Sequence, residues 1–136
     1  CNYYVRPMVV DGMTWQAVEH YYQAQKTLDP AMQQRIHDAA TPADAKALGN
    51  SPECVKRPDW DTWKLMAMRK ALFCKFTQHA DLRKLLLDTG DKVLHENSMV
   101  DYYWGIGEDG SGLSMLGKEL MALREELRYF ADKGLL

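Results

Sequence analysis

A chain of 136 residues with 46% hydrophobic and 26% charged residues is long enough to bury a core without disulfides, and its composition is that of a soluble globular domain. The formal net charge of −2 excludes a strongly basic, sequence-blind nucleic-acid clamp, although not a local basic patch. No apolar run approaches membrane-spanning length and no signal peptide is visible, so no membrane contact is expected.

Residues 2 to 10, rich in Tyr and Val, predict a short strand, and Asp11-Gly12 is a turn signal. Thr14 is placed to cap a helix running to about Leu28, with Trp15, Val18 and Tyr22 on its buried side. Asp29-Pro30 restarts a helix through Ala40, because Pro suits the first helical position. Thr41-Pro42-Ala43-Asp44 caps a short helix that Gly49 can end. A proline-bearing loop follows from Asn50 to Pro58. From Asp59 to about His79, apolar Trp60, Trp63, Met66, Leu72 and Phe76 recur at helical spacing. Leu82 to Leu87 reads as another short helix and Lys92 to Glu96 as a strand. Gly105 to Gly112 must be irregular, and a last helix runs from about Met115 to Asp132 with Leu116, Leu120, Leu123, Leu127 and Phe130 inward. The expectation is one domain over residues 1–136, mostly α with a minor β component. A first residue of Cys1 rather than Met reads as a trimmed N-terminus.

Cys1, Cys54 and Cys74 lack C-x-x-C spacing, which argues against a disulfide framework or zinc site and fits a reducing, cytoplasmic compartment. His20, His37, His79 and His95 lack ligand spacing, so neither a metal nor a cofactor is expected.

Three constellations carry possible chemistry. Glu19, Gln23 and Lys26, spaced by four and three residues, stack a carboxylate, an amide and an amine along one side of a helix. A solvated helix face accounts for them equally well. Gly105-Ile106-Gly107 and Gly110-Ser111-Gly112 lead into the last helix, whose N-terminus, with Lys118 and Arg124, suits a phosphate or pyrophosphate. Asp101-Tyr102-Tyr103-Trp104 precedes that loop and offers an acid beside aromatic stacking faces. Arg57-Pro58-Asp59-Trp60 is ambiguous between a phosphate contact and a helix start capped by Asp59. Lys56, Arg57, Lys64, Arg69, Lys70 and Lys75 are close enough in sequence to form a basic patch or a solvated helix face.

Taken together and in order, these segments resemble the NADAR family, also called YbiA-like. The motifs are Asn2-Tyr3, Glu19-His20-Tyr21-Tyr22-Gln23-Ala24-Gln25-Lys26, Arg57-x-Asp59-Trp60, Lys75-Phe76 and Leu86-x-x-Thr89-Gly90. They continue with Asp101-x-x-Trp104-Gly105 and Leu116-Gly117-Lys118-x-Leu120-Met121-x-x-Arg124. The resemblance implies an N-glycosidase that cleaves a bond between a ribose anomeric carbon and a nitrogen. It makes Glu19, Lys26 and Asp101 the catalytic candidates. Asn2, Tyr3, His20, Tyr22, Gln23, Arg57, Trp60, Trp104, Gly105, Gly107, Ser114, Lys118 and Arg124 are the substrate-binding ones. Ser114 stands near where the family usually has Asn, and the family's segment before Asn2 is absent.

The resemblance ranks removal of ADP-ribose from guanine in DNA or RNA first, with a toxin–antitoxin partner conceivable. Hydrolysis of phosphorylated ribosylamino-pyrimidine intermediates of riboflavin synthesis is the alternative. A non-catalytic module for ADP-ribose or NAD is the third. Lys26 acts through a Schiff base or only binds substrate while a carboxylate activates water. Oligomeric state is not legible.

Overall fold

The computed structural model describes residues 5–94 and 115–136. Among them are six helices and one two-stranded sheet, so the fold is mostly helical with a minor β component. The chain divides into two compact units, Cys1–Gln78 and His79–Leu136. No helix among the described residues is long and apolar enough to cross a membrane.

The first unit opens with a hairpin of β1 (Met8–Val10) and β2 (Met13–Trp15), paired antiparallel with Val10 opposite Met13. Asp11 (φ 52) and Gly12 (φ 82) both adopt the left-handed region, as a two-residue type I′ turn requires. The turn stands where Asp11-Gly12 predicted it, but a second strand rather than a helix follows it. Thr14 therefore lies in β2 opposite Val9 and caps no helix. Gln78 covers the free edge of β1: its side-chain amide accepts from the Val9 N–H and donates to the Val9 carbonyl, both at 2.7 Å.

Helix α1 (Val18–Ala24) follows, shorter than expected, and every one of its residues is buried. It packs against α2 (Pro30–His37), α3 (Pro42–Gly49) and α4 (Trp60–Gln78), so it is the axis of this unit rather than a surface helix. Asp29 caps α2 by accepting from the Ala31 N–H, and Thr41 caps α3 by accepting from the Asp44 N–H, both at 3.1 Å. Helix α2 ends at His37 instead of Ala40. The His37 ring lies edge-on to Trp15 and donates from Nε2 to the Thr14 carbonyl at 2.8 Å, tying helix to hairpin.

In α4 the buried stripe is Trp60, Ala67, Met68, Ala71, Leu72, Lys75 and Phe76. Met66, expected inside, is 57% exposed, because the stripe runs through Met68 and its neighbours three and four residues on. Asp59 does not cap α4 with its carboxylate, which instead accepts from Arg57 Nε and Nη2 at 2.6 and 3.2 Å.

The second unit contains α5 (Ala80–Asp88) and α6 (Met115–Asp132), which pack together. Leu82 and Leu86 are buried on α5, and Leu116, Leu123 and Leu127 on α6. Leu120 and Phe130 are only half-buried, and Gly117, Glu119 and Arg124 take the remaining inward positions. Residues 92–94 are not a strand; residues 95 and 96 and the glycine-rich segment lie outside the described residues.

Candidate active site

Helix α1 brings polar groups into the interior of the first unit. Glu19 is 4% exposed, Gln23 2% and Lys26 6%, which removes the solvated-face explanation. Burial at this level is costly for polar groups unless they find partners. Gln23 Nε2 donates to Glu19 Oε1 at 2.7 Å, one helical turn away. Lys26, in the turn after α1, donates from Nζ to Asn50 Oδ1 at 2.8 Å. The Lys26 carbonyl accepts from the Arg57 N–H at 2.6 Å, fixing its backbone to the segment that leads into α4.

Burial drives the Lys26 amine down to about 8. The Lys56 and Lys46 ammonium groups push the same way, while Glu19 and Cys54 pull it up. Burial also raises the Glu19 carboxyl, against the opposing effect of its bond from Gln23 and of the positive charges at Lys46 and Lys26. An amine and a carboxyl are thus both moved toward neutrality within one buried cluster. Such opposed shifts are how a fold prepares a nucleophile and a proton donor at the same pH.

The approach of α1 to α3 is set by Gly49. A Cβ built there would lie 2.0 Å from Gln23 Oε1, so only glycine allows the two helices this separation. Gly49 does not end α3 through a left-handed turn; the sequence explanation for it was a helix stop, and the structural one is close packing. Gln23 Oε1 is buried with no hydrogen-bond partner among the described residues.

The other predicted residues fall into separate places. His20 is fully buried, donating from Nε2 to the Ala39 carbonyl at 3.0 Å, where it joins α1 to the α2–α3 turn. The buried Tyr22 ring packs on Trp60 with centroids 5.2 Å apart. Arg57 is half-buried, bonded to Asp59 and stacked 4.3 Å over the Trp63 ring. In the second unit Lys118 is exposed. Arg124 is buried there, donating from Nη1 to Thr89 Oγ1 and the Lys92 carbonyl, both at 2.8 Å. Asn2, Tyr3, Asp101, Trp104, Gly105, Gly107 and Ser114 lie outside the described residues.

Four of the six basic residues of 56–75 are either buried or engaged by an acid. Lys75 is buried, Lys70 is paired with Asp11 at 2.6 Å, Arg57 with Asp59, and Lys64 with Asp61 at 3.9 Å. Lys56 and Arg57 precede α4, and the helix turns Lys64, Arg69, Lys70 and Lys75 to different sides of its axis.

Sequence reasoning missed Asn50, Lys46, Lys56 and Cys54 as neighbours of Lys26. Their sequence separation gave no periodic signal. It also took Trp63 only as an apolar helix position, whereas its Nε1 donates to Gln25 Oε1 at 3.3 Å beside Lys26.

Comparison with known proteins places the chain in a family. The NADAR domain model matches residues 1–128. N-glycosidase Npun_R5314 of Nostoc punctiforme is 51% identical over 117 residues, 84% of this chain and 75% of that protein. N-glycosidase YbiA of Escherichia coli is 44% identical over 126 residues, 93% of this chain and 79% of that protein. The NMR structure of E. coli YbiA matches with a TM-score of 0.87, covering 94% of this chain and 76% of that chain. Riboflavin biosynthesis protein VVA0006 of Vibrio vulnificus is 39% identical over 135 residues, 99% of this chain but 37% of that longer protein. With a family model spanning nearly its whole length and the same mostly helical fold, the chain belongs to the NADAR family.

Proposed function

We propose that this protein is an N-glycosidase that hydrolyses the bond between a ribose C1 and a base or amine nitrogen. The observation that carries the reading is the buried Lys26 amine, lowered to about 8 and held on a neutral acceptor in the same cluster as a raised Glu19 carboxyl. Two relatives named N-glycosidase support it.

The chemistry follows from the two protonation states. Glu19, whose carboxyl burial raises, gives a proton from its acid form to the departing nitrogen as the C1–N bond breaks. The free-base form of the Lys26 amine makes the new bond to C1; one of its protons then passes to the ring oxygen as the C1–O4′ bond opens, which leaves a protonated Schiff base between lysine and sugar. The Glu19 carboxylate then takes a proton from the water that adds to C1, and departure of the lysine restores both groups. Asp101 remains the candidate for holding ribose hydroxyls.

For the substrate, the reading favoured here is a small phosphorylated ribosylamino-pyrimidine. A relative matching 99% of the chain is named a riboflavin biosynthesis protein, and four of the six basic side chains of 56–75 are buried or engaged by acids. ADP-ribosylated guanine keeps one specific support. The Arg57–Trp63 stack, joined to Lys26 through the Arg57 N–H, is an arrangement that suits an additional nucleobase.

The test offers both substrates to the purified protein and identifies products by mass spectrometry, with borohydride added in a parallel reaction. Release of free pyrimidine and ribose phosphate is expected, lost in Lys26→Ala and Glu19→Ala, with a reduced adduct mapped to Lys26. Release only from guanine-ADP-ribosylated oligonucleotide would replace the substrate and keep the reaction. Turnover of neither, with ADP-ribose binding that survives both substitutions, would overturn the reading in favour of a binding module.

A further inference from the structure

Asn50 occupies the position just after α3, with φ −96 and ψ −1. Asparagine at a helix end is usually explained by its tolerance of the left-handed region, but this conformation is right-handed and open to any residue. Its backbone N–H closes the helix on the Lys46 carbonyl, so the side chain is not needed for the cap. What the side chain does is accept from Lys26 Nζ at 2.8 Å. The preceding residue, Gly49, is the point where α1 comes close enough for Gln23 to meet α3 while holding Glu19. One dipeptide at the end of α3 therefore touches both halves of the cluster.

We infer that Asn50 is the positioning residue of Lys26: its side-chain carbonyl aims the buried amine without adding a negative charge. The inference rests on Lys26 being the nucleophile of the proposed reaction, and it adds the residue that keeps it ready. A neutral carbonyl asks only for an N–H, which both the ammonium and the free amine offer, so the contact survives loss of the proton. A carboxylate in the same place would favour the ammonium. The other charged or titratable groups acting on Lys26 are Glu19 from α1, Lys46 from α3, and Cys54 and Lys56 from the segment between α3 and α4. The two lysines favour the free amine and the other two oppose it, so the neutrality of Asn50 leaves the balance with burial.

The test compares Asn50→Asp and Asn50→Ala with the parent protein by two readouts. The first is independent of turnover: the Lys26 side chain is followed by 13C and 15N NMR through a pH titration, its signal identified by its loss in Lys26→Met. In Asn50→Asp the Lys26 midpoint should rise by about one to three pH units, the range for a close opposite charge. The second readout is the pH profile of kcat on whichever substrate the protein turns over. In Asn50→Asp the rising limb should move upward with the NMR midpoint, lowering kcat at pH 7 by about tenfold for each unit, with recovery at alkaline pH. In Asn50→Ala kcat should fall at every pH without that recovery, while KM changes little. An unchanged Lys26 midpoint in a folded Asn50→Asp protein overturns the inference. A shifted midpoint with an unmoved kcat profile upholds the contact and removes Lys26 as the nucleophile, so the two failures are distinguishable.

Discussion

Helices α1 and α6 differ in what their polar residues do. α6 is an 18-residue helix with leucines on one side and exposed Glu125, Glu126 and Tyr129 on another. α1 has seven residues, all buried, and three of them are polar. A helix of the first kind is held by its apolar stripe, and its exposed polar residues serve solubility. In α1, Glu19, His20 and Gln23 have been taken out of water and must be satisfied within the protein. Buried polar groups on α6 follow another logic: Arg124 bonds Thr89 and the Lys92 carbonyl and holds its own unit together. What sets the α1 group apart is that a raised carboxyl and a lowered amine lie in one buried cluster.

The sharpest way to break this contrast is to remove the amine. Lys26→Met should lower turnover by about 10³-fold or more, with an unchanged circular dichroism spectrum, as loss of a covalent nucleophile does. Glu126→Ala, on the exposed side of α6, should stay within about twofold of the parent. Comparable turnover in both variants would erase the distinction between the helices.

Glu19→Gln comes next, with turnover down by about 10²- to 10⁴-fold for a lost proton donor. Its stability should move the other way. The folded carboxyl titrates above its ordinary value, so the folded state holds more protons as pH rises past 4.5, and the parent loses stability until the folded group has ionised. Melting curves should therefore find the variant no less stable than the parent at pH 7, with any advantage fading toward pH 4.5. A variant much less stable at pH 7 would mean that the ionised carboxylate holds α1 in place.

Arg124→Met sharpens the comparison from the α6 side. Two charge-assisted bonds disappear, and urea unfolding should register a loss of about 2–4 kcal/mol. An unchanged midpoint with a raised KM would instead make Arg124 a ligand for substrate. Gly49→Ala should have a smaller effect than these site and core substitutions, about 1–3 kcal/mol of stability from overpacking. Turnover should fall with it, because the added methyl displaces Gln23 from its bond to Glu19. Stability and turnover both unchanged would show that α1 and α3 can part without disturbing the carboxyl.

Local chemistry made much of the fold legible. Thr41 caps α3 as its spacing predicted and Pro30 opens α2 as expected, while the Asp29 cap adds a second local signal; each bond closes within three residues. The Asp11-Gly12 turn was also readable, but not the strand it creates, since β2 is only three residues long and its Met-Thr-Trp alternation is too short to stand out. In α4 the periodicity located the helix and misassigned Met66, because several apolar residues compete for one stripe and only packing selects among them.

By itself the sequence determined that Glu19 and Gln23 share one side of a helix with Lys26 close behind them, since the turn of an α-helix is a local property. It could not determine whether that side meets water, because exposure depends on what the other helices cover. The tertiary structure decided this by surrounding α1 with α2, α3 and α4. It decided also that Lys26 ends on Asn50, 24 residues away, and that Gly49 is there for room rather than for a turn. The same burial moves the amine down and the carboxyl up, for desolvation acts on charge and no spacing in a sequence records it.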